Sequence, residues 1–174
     1  MSDAIERSGH IAELAFIETA VQAAGYQSAQ TGSDDLSVEP ELIVALDPDE
    51  DSRARSLRIS FIPVGDEVES TKFVQLWVTL PFEVAADRVD AVRLATAIVN
   101  EHVALGRFGV DQDGSVYFRY VLAARAHTMI DDDLIAEVVS FVDFHQEHFG
   151  DFVEGVCDGN IEIEVLEHVI RAAG

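Results

Sequence analysis

The sequence predicts an α+β domain built on an antiparallel sheet, and three observations predict it. Stretches of period-two alternation come in groups, three before Pro81 and two between Arg107 and Leu122, so strands do not alternate one for one with helices. Asp113-Gly114 stands between Phe108/Val110 and Val116/Phe118/Tyr120, the pattern of a tight hairpin turn. Helical-period stretches open the chain, divide the two strand groups and follow the second. The predicted order is α-βββ-α-ββ-α in a single domain over 1–174, with a C-terminal helical extension from about residue 160.

Each element has its own signal. Ser8 can cap a first helix whose apolar positions are Ile11, Leu14, Ile17, Val21 and Ala24, with Gly25 placed to end it. Gln27 to Asp35 is polar, contains Gly32 and reads as a connection. Leu36, Val38, Leu42, Val44 and Leu46 fall on one parity, with Pro40 marking an edge or bulge in the early part of that strand. Asp47 to Asp51 is an acidic turn. Leu57, Ile59 and Phe61 begin a second strand that stops near Pro63, and a third runs from Lys72 to Leu80, closed by Pro81.

A helix starting near Asp87 carries Val92, Ala95, Ile98, Val99 and Val103 on a face widened by Ala91 and Leu94. That width suits packing against a second subunit as well as the sheet, or burial beneath another helix. Asp131, Asp132 and Asp133 sit where the dipole of a third helix favours negative charge. Its apolar positions are Leu134, Val138, Phe141 or Val142, His145 and Phe149, and Gly150 can interrupt it before Phe152, Val153 and Val156. Gly159-Asn160 then precedes a last helix with Val165, Leu166, Val169 and Ile170 on one side.

Composition bounds the function. With 174 residues and 48% hydrophobic, the chain can bury one core without disulfides or metal staples and is not disordered. Its formal charge of -22 repels phosphate backbones and anionic lipid, so neither nucleic acid nor a membrane surface is an expected partner. The charge is uneven: Ala126 to Gly174 carries 12 acids against Arg171 alone, a net of -11, whereas Phe61 to Arg125 carries 9 acids against 6 bases, a net of -3. The acidic end reads as a solvated surface or as a dock for a basic partner. Lys72 is the only lysine among eleven bases, which reads as compositional bias. Cys157 is the only cysteine, so no internal disulfide forms; with no leader-like start and no apolar run of ~20 residues, a soluble cytoplasmic protein is expected.

The chemistry-bearing patterns are weak. His145 and His148 stand three apart on a helix, close enough to share a metal with Asp151 or Cys157, but the spacing is not His-Glu-x-x-His and His145 lies on the apolar stripe. Asp47, Asp49 and Asp51 begin like a calcium loop, yet Ser52 and Arg58 occupy the positions that need Gly and a bidentate Glu. Asp111 and Asp113 fail likewise, with Leu122 at the twelfth position. No phosphate loop, dinucleotide turn or nucleophile elbow occurs, and Glu154 and Asp158 flank Cys157 and make it a poor nucleophile. Neither catalytic residues nor a cofactor or metal are expected.

Ala97-Ile98-Val99-Asn100 followed by Gly106-Arg107-Phe108, then Asp111-Gln112-Asp113-Gly114-Ser115-Val116 and Phe118-Arg119-Tyr120, then the third helix, resemble the YbjN family of bacterial proteins, labelled sensory-transduction regulators, and beyond it the type III secretion chaperone fold. The resemblance covers roughly His10 to Gly150. It implies a small, often dimeric helix-and-sheet module that holds a protein or peptide and has no established catalytic residues. It carries no site residues onto this chain.

The candidate site is a surface. If Val74, Leu76, Val78 and Leu80 face the helices, Phe73 and Trp77 face the other way, and on the fifth strand Tyr117 and Arg119 oppose Phe118 and Tyr120. Aromatic residues and Arg dominate interface energetics. Phe73, Trp77, Tyr117 and Arg119 are therefore the expected docking residues of a protein-binding, regulatory or chaperone-like homodimer, unless the terminal helix or a second subunit covers them. The alternatives are a metal-dependent protein or enzyme using His145 and His148, and a structural subunit of a larger complex.

Overall fold

The computed structural model describes residues 2–33, 37–65 and 68–173. Its elements in chain order are α1 (Ser2–Ala23), β1 (Gln27–Thr31), β2 (Glu41–Leu46), β3 (Arg55–Ile62), β4 (Thr71–Glu83), α2 (Val89–Asn100), β5 (Arg107–Val110), β6 (Ser115–Arg125), α3 (Asp132–Cys157), a 3-10 turn (Ile163–Val165) and α4 (Leu166–Ala173). The strands form one sheet in the order β1-β2-β3-β4-β6-β5, each antiparallel to its neighbours. This is the α+β class that the sequence predicts.

Alternation decides which face the helices cover. Leu42 and Val44 on β2, Leu57 and Ile59 on β3, Val74, Leu76 and Val78 on β4, and Val116 and Phe118 on β6 are all fully buried. Leu14, Ile17 and Val21 of α1, Val92, Ala95 and Val99 of α2, and Ile135, Val139, Val142 and Val153 of α3 meet them from one side. Each of the Val, Leu, Ile and Phe side chains so removed from water contributes about 1.5–3 kcal/mol. All four helices lie on that side: α1 packs on α3, β1 and β2, α3 on β4 and β6, and α2 on α3, β5 and α4.

Several boundaries differ from the sequence reading. α1 begins at Ser2, so Ser8 lies inside the helix and does not cap it. The segment read as a connection contains β1, whose inward Ser28 and Gln30 make polar bonds to Gln22 and Glu18 of α1 and so give no apolar signal. β2 starts after Pro40; Val38 is exposed in a turn, and Leu36 lies outside the described residues. Pro81 does not close β4, which runs to Glu83. Between the pairs Thr79–Tyr117 and Glu83–Ser115, three β4 residues stand opposite one on β6, and in this bulge the missing proline N–H breaks no ladder bond.

On α3, Leu134 is exposed, Gln146 takes a place in the buried seam, and Gly150 interrupts nothing, because its bare backbone admits the Leu80 side chain. After Gly159, whose φ is +76°, the 3-10 turn leads into α4. Leu166 and Ile170 enter the core there while Val165 faces out. The terminal helix thus completes the helical layer and leaves the other sheet face alone.

Asn100 holds the free edge of the sheet. Its side chain accepts from the Phe108 N–H at 2.7 Å and donates to the Phe108 carbonyl at 3.0 Å, taking the place of a seventh strand on β5. Gly106 precedes it at φ +83°, where a Cβ would stand 2.6 Å from the Phe118 ring.

Lys72 has a structural role that composition alone does not suggest. Its ammonium donates to Glu13, buried in α1, and to the Thr128 carbonyl at 2.6 Å, while Glu13 also accepts from the Ile130 N–H at 3.1 Å. One ion pair therefore ties α1, β4 and the turn into α3. Removing one partner of a buried pair strands the other charge. Lys72→Met should cost ~3 kcal/mol in denaturant unfolding, and adding Glu13→Leu should recover most of it; equal stability of the single variant and the wild type would contradict this account.

Candidate functional site

With every helix on one side, the opposite sheet face is covered by no described element. Phe73, Gln75 and Trp77 of β4 and Tyr117, Arg119 and Val121 of β6 point to it and are partly exposed. The predicted parity holds, and all four predicted docking residues share this face. Three of them meet. Trp77 and Tyr117 stack with ring centroids 4.0 Å apart and an interplanar angle of 21°, and Arg119 is the cross-strand partner of Trp77. Phe73 lies four residues back along β4, roughly 13 Å away, between Ile62 and Ala123.

Local bonds hold this cluster in place. Arg119 Nε donates to Gln75 Oε1 at 2.6 Å, and Trp77 Nε1 donates to Thr79 Oγ1 at 3.2 Å. Tyr117 lies over Gly109 so closely that a Cβ there would stand 2.5 Å from the ring, so the glycine on β5 makes room for the Trp77–Tyr117 stack. The hairpin that brings β5 alongside is closed by Gly114 at φ +91°, with Asp113 accepting from the Ser115 N–H at 3.0 Å. That bond holds the Asp113 carboxyl below its ordinary range.

Register adds residues that the sequence reading did not single out. Arg58 pairs with Trp77, Trp77 with Arg119, and Arg119 with Arg107. Four strands thus carry one row, Arg58-Trp77-Arg119-Arg107. The alternation of Leu57, Ile59 and Phe61 already assigns Arg58 to the outer parity, but pairing between distant strands is not written in local periodicity.

The other singled-out residues lie elsewhere. His145 and His148 form part of an aromatic stripe on α3 with Phe141, Phe144 and Phe152; His145 Nδ1 lies 2.9 Å from the Phe141 carbonyl, and His148 stacks on Phe144. Among the described residues, the one group of three potential ligands within metal-binding reach is Asp131, Asp132 and Asp133. All three are exposed, and Asp131 caps α3 by accepting from the Leu134 N–H at 3.0 Å. Cys157 is buried, with its thiol pushed up by burial and by Asp158 and Glu154. A half-open hollow of about 640 Å³ between α1 and the β3–β4 connection is lined by His10, Glu13, Phe61, Lys72 and His127. His10 stacks there on Phe61 at 4.2 Å, and burial lowers its pKa.

The acidic turn docks onto α3. Arg53 binds Glu154 through two hydrogen bonds of 2.5 and 2.8 Å and Asp49 at 2.6 Å, and buried Arg55 lies 3.7 Å from both Asp143 and Glu147. Burial would raise Asp49, but the backbone and guanidinium of Arg53 outweigh it and hold that carboxyl low.

No protein-family model matches the chain, and no curated protein matches it.

Burial raises the Asp143 carboxyl against the opposing charge of Arg55. Burial and the neighbouring carboxylates of Glu50, Glu154 and Glu147 raise Asp151. A carboxyl with a folded pKa above its unfolded value takes up its proton first in the folded chain, so stability is gained as pH falls toward the ordinary aspartate range and lost as pH rises. Asp151→Asn should raise the thermal midpoint by roughly 1–2 °C at about pH 7.5 and by less at about pH 5, a difference in which the opposite contribution of His10, lowered by burial and common to both proteins, cancels. An equal or lower midpoint for the variant at the upper pH would contradict the assignment.

Proposed function

We propose that the chain is a non-catalytic protein-binding module with a regulatory or chaperone-like role, of the YbjN and secretion-chaperone-like type, acting as a homodimer. The observation that carries this reading is the uncovered sheet face with Trp77, Tyr117 and Arg119 clustered on it. Stacked, pre-ordered aromatic rings beside an arginine oriented by Gln75 are the features that give an interface its energy at low entropic cost. Phe73 extends the surface along β4.

The α3 stripe supports the dimer. Phe144 is 59% exposed among half-buried Phe141, His145, His148 and Phe152, and a two-fold axis would bring this stripe against its own copy. The reading of α2 as a dimer element is weaker, because α3 and α4 take up much of its wide face and Leu94 is left exposed.

Purification of tagged protein from its native host at low and moderate salt, with mass spectrometry of what stays bound, tests the proposal. The wild type should retain a stoichiometric protein partner. A folded Trp77→Ala plus Tyr117→Ala variant should lose it at least tenfold while remaining dimeric, whereas Phe144→Glu should become monomeric. Undiminished retention by the double variant would sink the binding face. Bare protein carrying zinc would move the function to the metal-dependent alternative at His145 and His148.

A further inference from the structure

Charge on the outer sheet face runs opposite to charge on the chain. Six of the eleven bases pair with carboxylates: Arg7, Arg53, Arg55, Lys72, Arg93 and Arg171. Arg88 donates to the Val156 carbonyl. The remaining four, Arg58, Arg107, Arg119 and Arg125, have no carboxylate within 4.0 Å among the described residues, and all four occupy outward strand positions, three of them in the row of Trp77 and Arg125 at the far end of β6 opposite Thr71. Glu41 and Glu83, at the margins, are the acids on outward strand positions.

In a protein with 33 carboxylates, four arginines on a single face are left with water or, for Arg119, the neutral Gln75 in place of a counter-charge. Arg107 and Arg119 are direct cross-strand partners, and like charges so placed cost the sheet stability. A counter-charge from outside relieves that repulsion.

From these observations, and resting on the protein-binding reading above, we infer that the occupant of this face is an acidic segment of a partner protein, with carboxylates flanking an aromatic or large apolar residue. Strands lie about 4.8 Å apart, so Arg58 and Arg107, three strands apart in the row, are separated by roughly 14 Å at their backbones, with Trp77 between. An extended segment laid across the strands presents same-side residues every ~6.8 Å. Acidic residues at positions i and i+4 then reach the two ends of the row, and residue i+2 lies on the Trp77–Tyr117 stack.

Other occupants fit less well. A second copy of the sheet face would set arginine against arginine. A nucleic acid continues its charge beyond the four arginines into the field of a chain with net charge -22, whereas a short acidic segment ends where the arginines end.

Selection of a random twelve-residue peptide display library against the immobilised full chain tests this, with Trp77, the only tryptophan, as reporter. Selected peptides should be enriched in Asp and Glu two residues either side of an aromatic or large apolar residue. Synthesised without tryptophan, they should shift the Trp77 emission, bind more weakly as salt rises, and lose about threefold to tenfold affinity with each of Arg58→Gln and Arg107→Gln. Neutral or basic peptides that shift Trp77 would overturn the acidic inference and leave the binding face standing. Peptides that leave Trp77 unmoved and still bind Trp77→Ala, or no enrichment at all, would overturn both. A single-stranded oligonucleotide that shifts Trp77 more tightly than any selected peptide would replace the protein segment with nucleic acid.

Discussion

Strict alternation along β4 and β6 is the constraint on which the rest depends. Val74, Leu76, Val78, Val116 and Phe118 point one way without exception and bury completely, so every helix must lie on that side. The opposite parity is then left to Phe73, Gln75, Trp77, Tyr117 and Arg119, residues that solvation alone would not choose together. One geometric rule creates both the core and the uncovered sheet face.

Charge is divided along the same line. On the helical side, arginines serve the fold: Arg53 and Arg55 draw the acidic β2–β3 turn onto α3, and Lys72 joins three elements through Glu13. These pairs occupy the cations of that layer, so Asp151, raised first by burial, is raised further by the unneutralised carboxylates of Glu50, Glu154 and Glu147. On the sheet side the arginines serve no described carboxylate. Arg119 is oriented there by neutral Gln75, and the four charges are left without an internal carboxylate, the arrangement that the proposed acidic segment would meet.

The fold class and the docking parity were legible in the sequence because both follow from period two and from one Asp-Gly turn. β1 was not legible, since Ser28 and Gln30 bind α1 through polar groups and give no apolar alternation. The run of β4 through Pro81 was hidden because a bulge depends on the length of the opposing strand and not on local residues. Trp77, Tyr117 and Arg119 could be assigned to one face from alternation alone. The row that joins them to Arg58 and Arg107 needs the strand order β3-β4-β6-β5, which two separated strand groups do not reveal. His145 looked like a metal ligand or a core residue because helical period cannot separate a seam from its flank; it lies on the flank, among aromatic rings.

The most direct measurement places a photo-crosslinking amino acid at position 77 on the sheet and, in a second chain, at position 144 on α3, each expressed in the native host. The account predicts that position 77 captures a different protein and position 144 captures a second copy of this chain. Self-capture at position 77, or heterologous capture confined to position 144, would contradict the assignment of the sheet face to a partner.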